Sequence, residues 1–137
     1  MQEFRNAIEA RDLDALGALF SDEVVFRSPV VHSPYQGRDQ TMALLQAVSQ
    51  VFEDFRYTRE IGAPGAPDSA LVFQARVGDR EVEGCDFIHV NDAGLIDELF
   101  VMVRPATGLM ALAEAMKRQL ELAGASVPAK GHLRNEE

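Results

Sequence analysis

The sequence predicts an α+β fold. Segments with helical spacing of apolar residues occupy the N-terminal part and the C-terminal end. A run of strand-like segments, separated only by tight turns, fills residues 70–104 between them. At 137 residues the chain has the length of one domain rather than two.

Phe4, Ala7, Ile8 and Arg11 recur three and four apart, which predicts an opening helix with a narrow apolar stripe. Asp12 is the type of residue preferred at a helix N-cap, and Leu13, Leu16, Leu19 and Phe20 give a short second helix one apolar face. Ser21-Asp22 breaks that pattern, and Glu23 to Arg27, with Val24, Val25 and Phe26 inside it, reads as a short strand. Ser28 to Gly37 holds two prolines and a glycine and reads as a loop. From about Asp39 an amphipathic helix follows, its buried face marked by Leu44, Val48, Val51, Phe52 and Phe55. Phe55 to Ile61 alternates as a strand, and residues 62–68 form a surface loop too short for a domain linker.

The hairpin signal is Gly78-Asp79 between two strand-like runs. Its register sets Val77 opposite Arg80, Arg76 opposite Glu81, and Phe73 opposite Gly84. One face then carries Leu71, Phe73, Ala75, Val82, Gly84, Asp86 and Ile88, and the other carries Gln74, Arg76, Glu81, Glu83, Cys85, Phe87 and His89. Opposed charges on Arg76 and Glu81 support that register. After a turn at Asn91 to Gly94, Leu95 to Arg104 returns as a long strand. Leu99, Val101 and Val103 share the Asp86 face, while Ile96, Phe100 and Met102 take the other. Both faces of this strand are apolar, so both need cover: helices on one side, a second subunit on the other. Pro105 opens a final helix with Leu109, Leu112, Met116 and Leu120 on its apolar face, and Gly124 stops it. The domain so defined is 1–124, followed by a polar tail over 125–137.

Composition narrows the function classes. Hydrophobic residues at 47% and charged residues at 26% exclude a wholly disordered chain. One cysteine, Cys85, excludes an intramolecular disulfide framework and a multi-cysteine zinc site. Thirteen basic residues against 22 acidic ones leave a net charge of −9, and the basic ones are scattered. Neither nucleic acid nor a membrane is therefore expected as a partner. No apolar stretch approaches membrane-spanning length, and Met1 to Arg5 lacks a signal-peptide pattern, so a cytoplasmic protein is expected.

The order and spacing of five segments carry a resemblance. They are Ala10-Arg11-Asp12-Leu13-Asp14-Ala15-Leu16, Leu19-Phe20-Ser21-Asp22-Glu23-Val24, Tyr35-Gln36-Gly37-Arg38-Asp39, Val82 to Val90, and Asn91-Asp92-Ala93-Gly94-Leu95-Ile96. Over roughly residues 2–120 the chain resembles the nuclear-transport-factor-two-like superfamily, and within it the SnoaL-like domains. The resemblance implies a curved antiparallel sheet wrapped around the N-terminal helices, a cystatin-like cone with a deep apolar pocket. It also implies homodimers through the convex sheet face, here Cys85, Phe87, His89, Phe100 and Met102. It does not imply one reaction, because members include isomerases, cyclases, dehydratases, epoxide hydrolases and non-catalytic binders.

Asp86 is the leading candidate for chemistry. Alternation places it among Leu71, Phe73, Ile88 and Leu99, where an isolated carboxylate is costly and must be hydrogen-bonded or protonated. A satisfied structural carboxylate is the competing reading. In ketosteroid isomerases an Asp at the corresponding strand position is the neutral acid that donates to the enolate oxygen. The other isomerase parts do not carry over: the base aligns with Ser28 and the oxyanion-hole tyrosine with Phe4. A serine needs an activator of its own to serve as base, which argues against ketosteroid isomerase activity itself.

His32, in the loop that resembles the pocket rim, is a candidate general base, with a solvent-exposed loop histidine as the alternative. Tyr35 and Tyr57 can donate a hydroxyl to a ligand, and Leu71, Phe73, Leu99, Val101 and Val103 are the expected apolar wall. Asp97 reads as a rim or surface charge, Arg104 as an anchor for the last helix or for a dimer partner, and Cys85 as unreactive. No metal or cofactor signature is present in the sequence. The reading is a pocket protein for a small apolar molecule, carrying out acid–base chemistry of isomerase, cyclase or lyase type on a carbonyl-bearing ligand. A non-catalytic binding or dimerisation module is the rival.

Overall fold

The computed structural model describes residues 1–124, so the tail expected over 125–137 lies outside the described residues. Ten elements follow one another: α1 (Gln2–Ala10), α2 (Leu13–Ala18), β1 (Phe20–Arg27), β2 (Tyr35–Gln36), α3 (Arg38–Ser49), β3 (Glu53–Ile61), β4 (Asp68–Val77), β5 (Arg80–Val90), β6 (Ile96–Arg104) and α4 (Ala106–Leu122). The strands form one curved, open sheet in the order β2-β1-β6-β5-β4-β3. Every junction is antiparallel except β1 with β6, which is parallel. The sheet expected to be antiparallel throughout has this exception because β1, which precedes the β3–β6 meander, lies against its last strand.

The N-terminal helices end by local chemistry. Arg11 closes α1 in the left-handed region at φ 55°, and its backbone N–H donates to the Ile8 carbonyl at 3.1 Å. The Asp12 side chain caps α2 by accepting from the Ala15 N–H at 3.1 Å. Phe20, expected on the helix face, instead opens β1. The Ile96 N–H bonds the Leu19 carbonyl at 2.8 Å, and pairing with β6 overrides the helical spacing. Phe52 and Phe55 likewise fall outside α3, which ends at Ser49. They continue its apolar face through the turn, with ring centroids 5.6 Å apart.

The hairpin register holds over its whole length, from Val77 with Arg80 to Asp68 with His89. The Arg76 guanidinium does not pair with Glu81 across the hairpin. It turns to β3, where it meets Glu53 at 3.1 Å and Asp54. Two carboxylates on that side outweigh one. Ile96, expected on the outer face, is completely buried in the main core. A register shift between His89 and Val90 reverses the facing of β6 at its start, and a β-bulge does this by adding one residue. The same irregularity brings Asp97 to His89, with Asp97 Oδ1 2.6 Å from His89 Nδ1. Arg104 pairs with Glu83 of its own sheet at 3.3 Å. Pro105 stands one residue before α4, and the missing side chain of Gly108 lets that helix approach Val82 and the Glu81 carbonyl.

The main core lies between the inner face of the sheet and the helices, and includes Phe4, Phe20, Leu71, Phe73, Ile96 and Leu99. A second cluster of Val51, Ala75, Val77, Val82 and Leu112 sits under α4. On the outer face Phe87 and Met102 remain 40% and 50% exposed.

Gly84 sets the inner surface of β5. A Cβ there would lie 2.6 Å from the Met102 carbonyl oxygen and 2.7 Å from Phe73 Cε2. The missing side chain is what lets the Phe73 ring lie across β5. Gly84→Ala is expected to destabilise the protein by about 1–3 kcal/mol through overpacking, read as a lowered thermal midpoint. Gly84→Val is expected to cost more.

Candidate functional site

Alternation along β5 puts Val82, Gly84, Asp86 and Ile88 on the inner face, and three of them are ordinary occupants of an apolar wall. Asp86 is the exception, a carboxyl group only 8% exposed. Its neighbours across the ladder are Leu71 on β4 and Val101 on β6, so no adjacent strand residue can neutralise it. The partner comes from two strands away. Tyr57 on β3 donates its hydroxyl to Asp86 Oδ2 at 2.8 Å, in a bond that is itself buried.

Both groups are strongly perturbed. Burial pushes the Asp86 carboxyl up to about 7, and the Tyr57 hydrogen bond opposes that rise. The Tyr57 phenol is raised too, first by burial and then by the charge of Asp86 and the hydrogen bond to it. Tyr57 is held by aromatic packing, edge-on to Phe55 at 5.0 Å and to Phe73 at 6.5 Å between ring centroids.

The pair opens onto a cavity of about 800 Å³. Phe4, Ile8 and Leu16 line it from α1 and α2, Leu44 and Val48 from α3, and Leu112, Met116 and Leu120 from α4. Phe73, Leu99, Val101 and Val103 complete the wall from the sheet. Tyr35 lines it from β2, its phenol raised by burial and its ring centroid 6.1 Å from that of Phe26. Glu9, Arg11, Asp54, Lys117 and Glu121 also border it, all exposed, so charge sits where the cavity meets solvent. This volume suits a compact organic molecule.

Asp86, Tyr35, Tyr57, Phe73, Leu99, Val101 and Val103 thus share one cavity. Leu71 and His32 do not border it. Leu71 is wholly buried in the core behind the wall. His32 is exposed, because its neighbour Val31 takes the inward position and lines the cavity. Ser28 does line the cavity, but its Oγ accepts the backbone N–H groups of Val30 and Val31 at 2.9 and 3.0 Å. It ties the loop together by these two bonds. Phe52, Phe55 and the inner residues of α4 are wall residues that the apolar helix spacing marked only as core. Among the described residues no group of three or more His, Cys, Asp or Glu side chains is placed to hold a metal ion, and no helix is long and apolar enough to cross a membrane.

Comparison with known proteins fits this geometry. The SnoaL-like domain model matches residues 1–99. No curated protein matches the chain. Among solved structures, the chain is 42% identical to a steroid delta-isomerase from Pseudomonas aeruginosa, over 91% of each chain with a TM-score of 0.86. It is 34% identical to an uncharacterised protein with a cystatin-like fold from Silicibacter pomeroyi, over 88% of this chain and 84% of that one with a TM-score of 0.83. An NTF2-like protein of unknown function from Cytophaga hutchinsonii shares the fold at 17% identity, with 77% and 88% of the two chains covered and a TM-score of 0.60. The chain belongs to the SnoaL-like domain family.

Proposed function

We propose that the cavity takes up a small apolar molecule bearing a carbonyl oxygen, and that Asp86 exchanges a proton with it in chemistry of isomerase, cyclase or lyase type. The observation that carries this reading is a buried carboxyl at the cavity, held near neutrality and hydrogen-bonded through one oxygen only to Tyr57. Oδ1 remains for the ligand. Protonated there, Asp86 donates to the ligand's carbonyl oxygen and makes an adjacent C–H more acidic. Ionised, it accepts a proton. A group with a pKa near the working pH serves both roles best. The Pseudomonas aeruginosa relative, described as a steroid delta-isomerase, supports acid–base chemistry as a class. Ser28 and Phe4, where the resemblance implies a carboxylate base and a tyrosine, speak against the steroid reaction in its usual form.

A second reading, a non-catalytic binding module, has its own support. Among the described residues lining the cavity, Asp86 is the one buried carboxyl, and the other charged groups there are exposed. Deuterium exchange separates the two. Incubated in D₂O with apolar ketones that it binds, the protein is expected to label positions next to the carbonyl, and Asp86→Asn to bind without labelling. Binding with no labelling by the wild type would leave only the binding module. Asp86→Leu is expected to lose affinity for ketones while retaining the fold.

The outer face of the same sheet is proposed to pair with a second copy of the chain. Phe87 and Met102 are exposed beside Phe100, whose ring centroid lies 6.0 Å from that of Phe87, and adjoining exposed apolar side chains of this kind favour a contact surface. Light scattering at micromolar concentration is expected to give a dimer, and Met102→Glu a monomer. A monomeric wild type would contradict the pairing.

Stability should report the state of Asp86. Its folded pKa, about 7, lies above the ordinary 3.8, so the native state binds the proton more tightly than the unfolded chain does. Asp86 therefore opposes folding as pH rises from about 4 to about 7, with the full penalty above that range. The stability of Asp86→Asn minus that of the wild type is expected to climb across this window by on the order of a few kcal/mol and then level off. Urea unfolding at a series of pH values reads it. A difference that falls with rising pH would mean that the carboxylate is stabilised in its charged form.

A further inference from the structure

Tyr57 also has a charged neighbour, Arg5, which does not line the cavity. The Arg5 guanidinium carbon lies 5.9 Å from the centroid of the Tyr57 ring. Arg5 follows Phe4 on α1, and its side chain reaches across to β3, where Arg5 Nη1 is 3.6 Å from Glu60. One turn along α1, Glu9 is 3.6 Å from Arg5 Nε and also borders the cavity. Arg5 is only 30% exposed, so solvent screens it incompletely.

Among the described residues the charged groups around the Tyr57 ring are therefore Asp86 from β5, Arg5 and Glu9 from α1, and Glu60 from β3 through its pairing with Arg5, with the Met1 ammonium 3.4 Å from the same Glu60 carboxylate. β4 presents only Phe73. The phenol's proton affinity is raised first by burial, then by Asp86, and further by Glu9, while Arg5 pulls it down.

We propose that Arg5 is a positioning residue that acts through Tyr57, so that the balance of Arg5 against Glu9 at the cavity edge sets how strongly Asp86 holds its proton. A cation over an aromatic ring is attracted to the electron-rich face and draws density from it. A phenol depleted in this way is a better hydrogen-bond donor, and a better donor stabilises the ionised carboxylate. Glu9 works in the opposite sense. The functional meaning rests on Asp86 as the proton carrier, but the test reads the carboxyl without any ligand. Failure of the relay is thus distinguishable from failure of the proposed reaction.

The experiment is a carbon-13 NMR titration of the Asp86 carboxyl in the full-length protein and four variants. Arg5→Met is expected to raise the Asp86 midpoint by about 0.5 unit, and Arg5→Lys to bring most of that back. Glu9→Gln is expected to lower the midpoint. In a Tyr57→Phe background, Arg5→Met is expected to leave the midpoint where Tyr57→Phe alone puts it. Variants of Arg5 and Glu9 that move Asp86 in the same direction, or not at all, would overturn the proposal, as would an Arg5 effect that survives loss of the phenol. If Arg5→Met does not fold, Glu9→Gln decides: a downward shift that disappears in the Tyr57→Phe background supports the relay, and a shift that is absent, upward or independent of the phenol overturns it.

Discussion

The hydrogen bond from Tyr57 to Asp86 is the interaction on which the site depends. A carboxyl group in an apolar cavity has two stable options: to stay protonated, or to find donors for its charge. One neutral donor at 2.8 Å, without a cation, places Asp86 between them. Burial raises its pKa and the phenol restrains the rise, leaving it at about 7, well above an ordinary aspartate. A second donor, or an arginine paired with the carboxylate itself, would return it to a permanent anion. Loss of the phenol would leave a permanently neutral acid. The site is poised because its support is incomplete.

Much of the architecture serves to keep that pair dry and aligned. β4 separates Tyr57 from Asp86, and the bond spans it because Tyr57 pairs with Phe73, two positions along β4 from the partner of Asp86, Leu71. Phe73 packs under the phenol and across β5, in the space that Gly84 leaves. Four helices close the remaining sides mostly with apolar residues, so polar character is limited to the pair, Tyr35, the spoken-for Ser28 and Ser49, and the exposed border. Tight packing on the sheet side and open volume on the helix side is the arrangement expected of a binding cavity on a rigid support.

How legible this was in the sequence follows from where the chain is regular. Gly78-Asp79 and strict alternation fix the hairpin register without ambiguity, so the inward facing of Asp86 could be read directly. Its partner could not. Both tyrosines are recognisable as polar-tipped aromatics, but β3 carries irregularities between Glu53 and Arg56 and between Tyr57 and Arg59, and a shifted register hides which residue reaches across β4. The bulge near His89 hides the inward turn of Ile96 for the same reason. His32 and Val31 differ by one residue in an irregular loop, where no period says which side chain turns inward. Leu71 has the right parity but is wholly covered, and only the packing of distant elements decides which apolar residues are wall and which are core.

The most direct measurement is the titration of the Asp86 carboxyl in the unliganded wild-type protein by carbon-13 NMR. A midpoint near 7 is predicted, with the resonance assigned by its loss in Asp86→Asn. A midpoint at or below the ordinary aspartate value would mean that the carboxylate is satisfied as an anion, and would contradict the account of this site as a poised proton carrier.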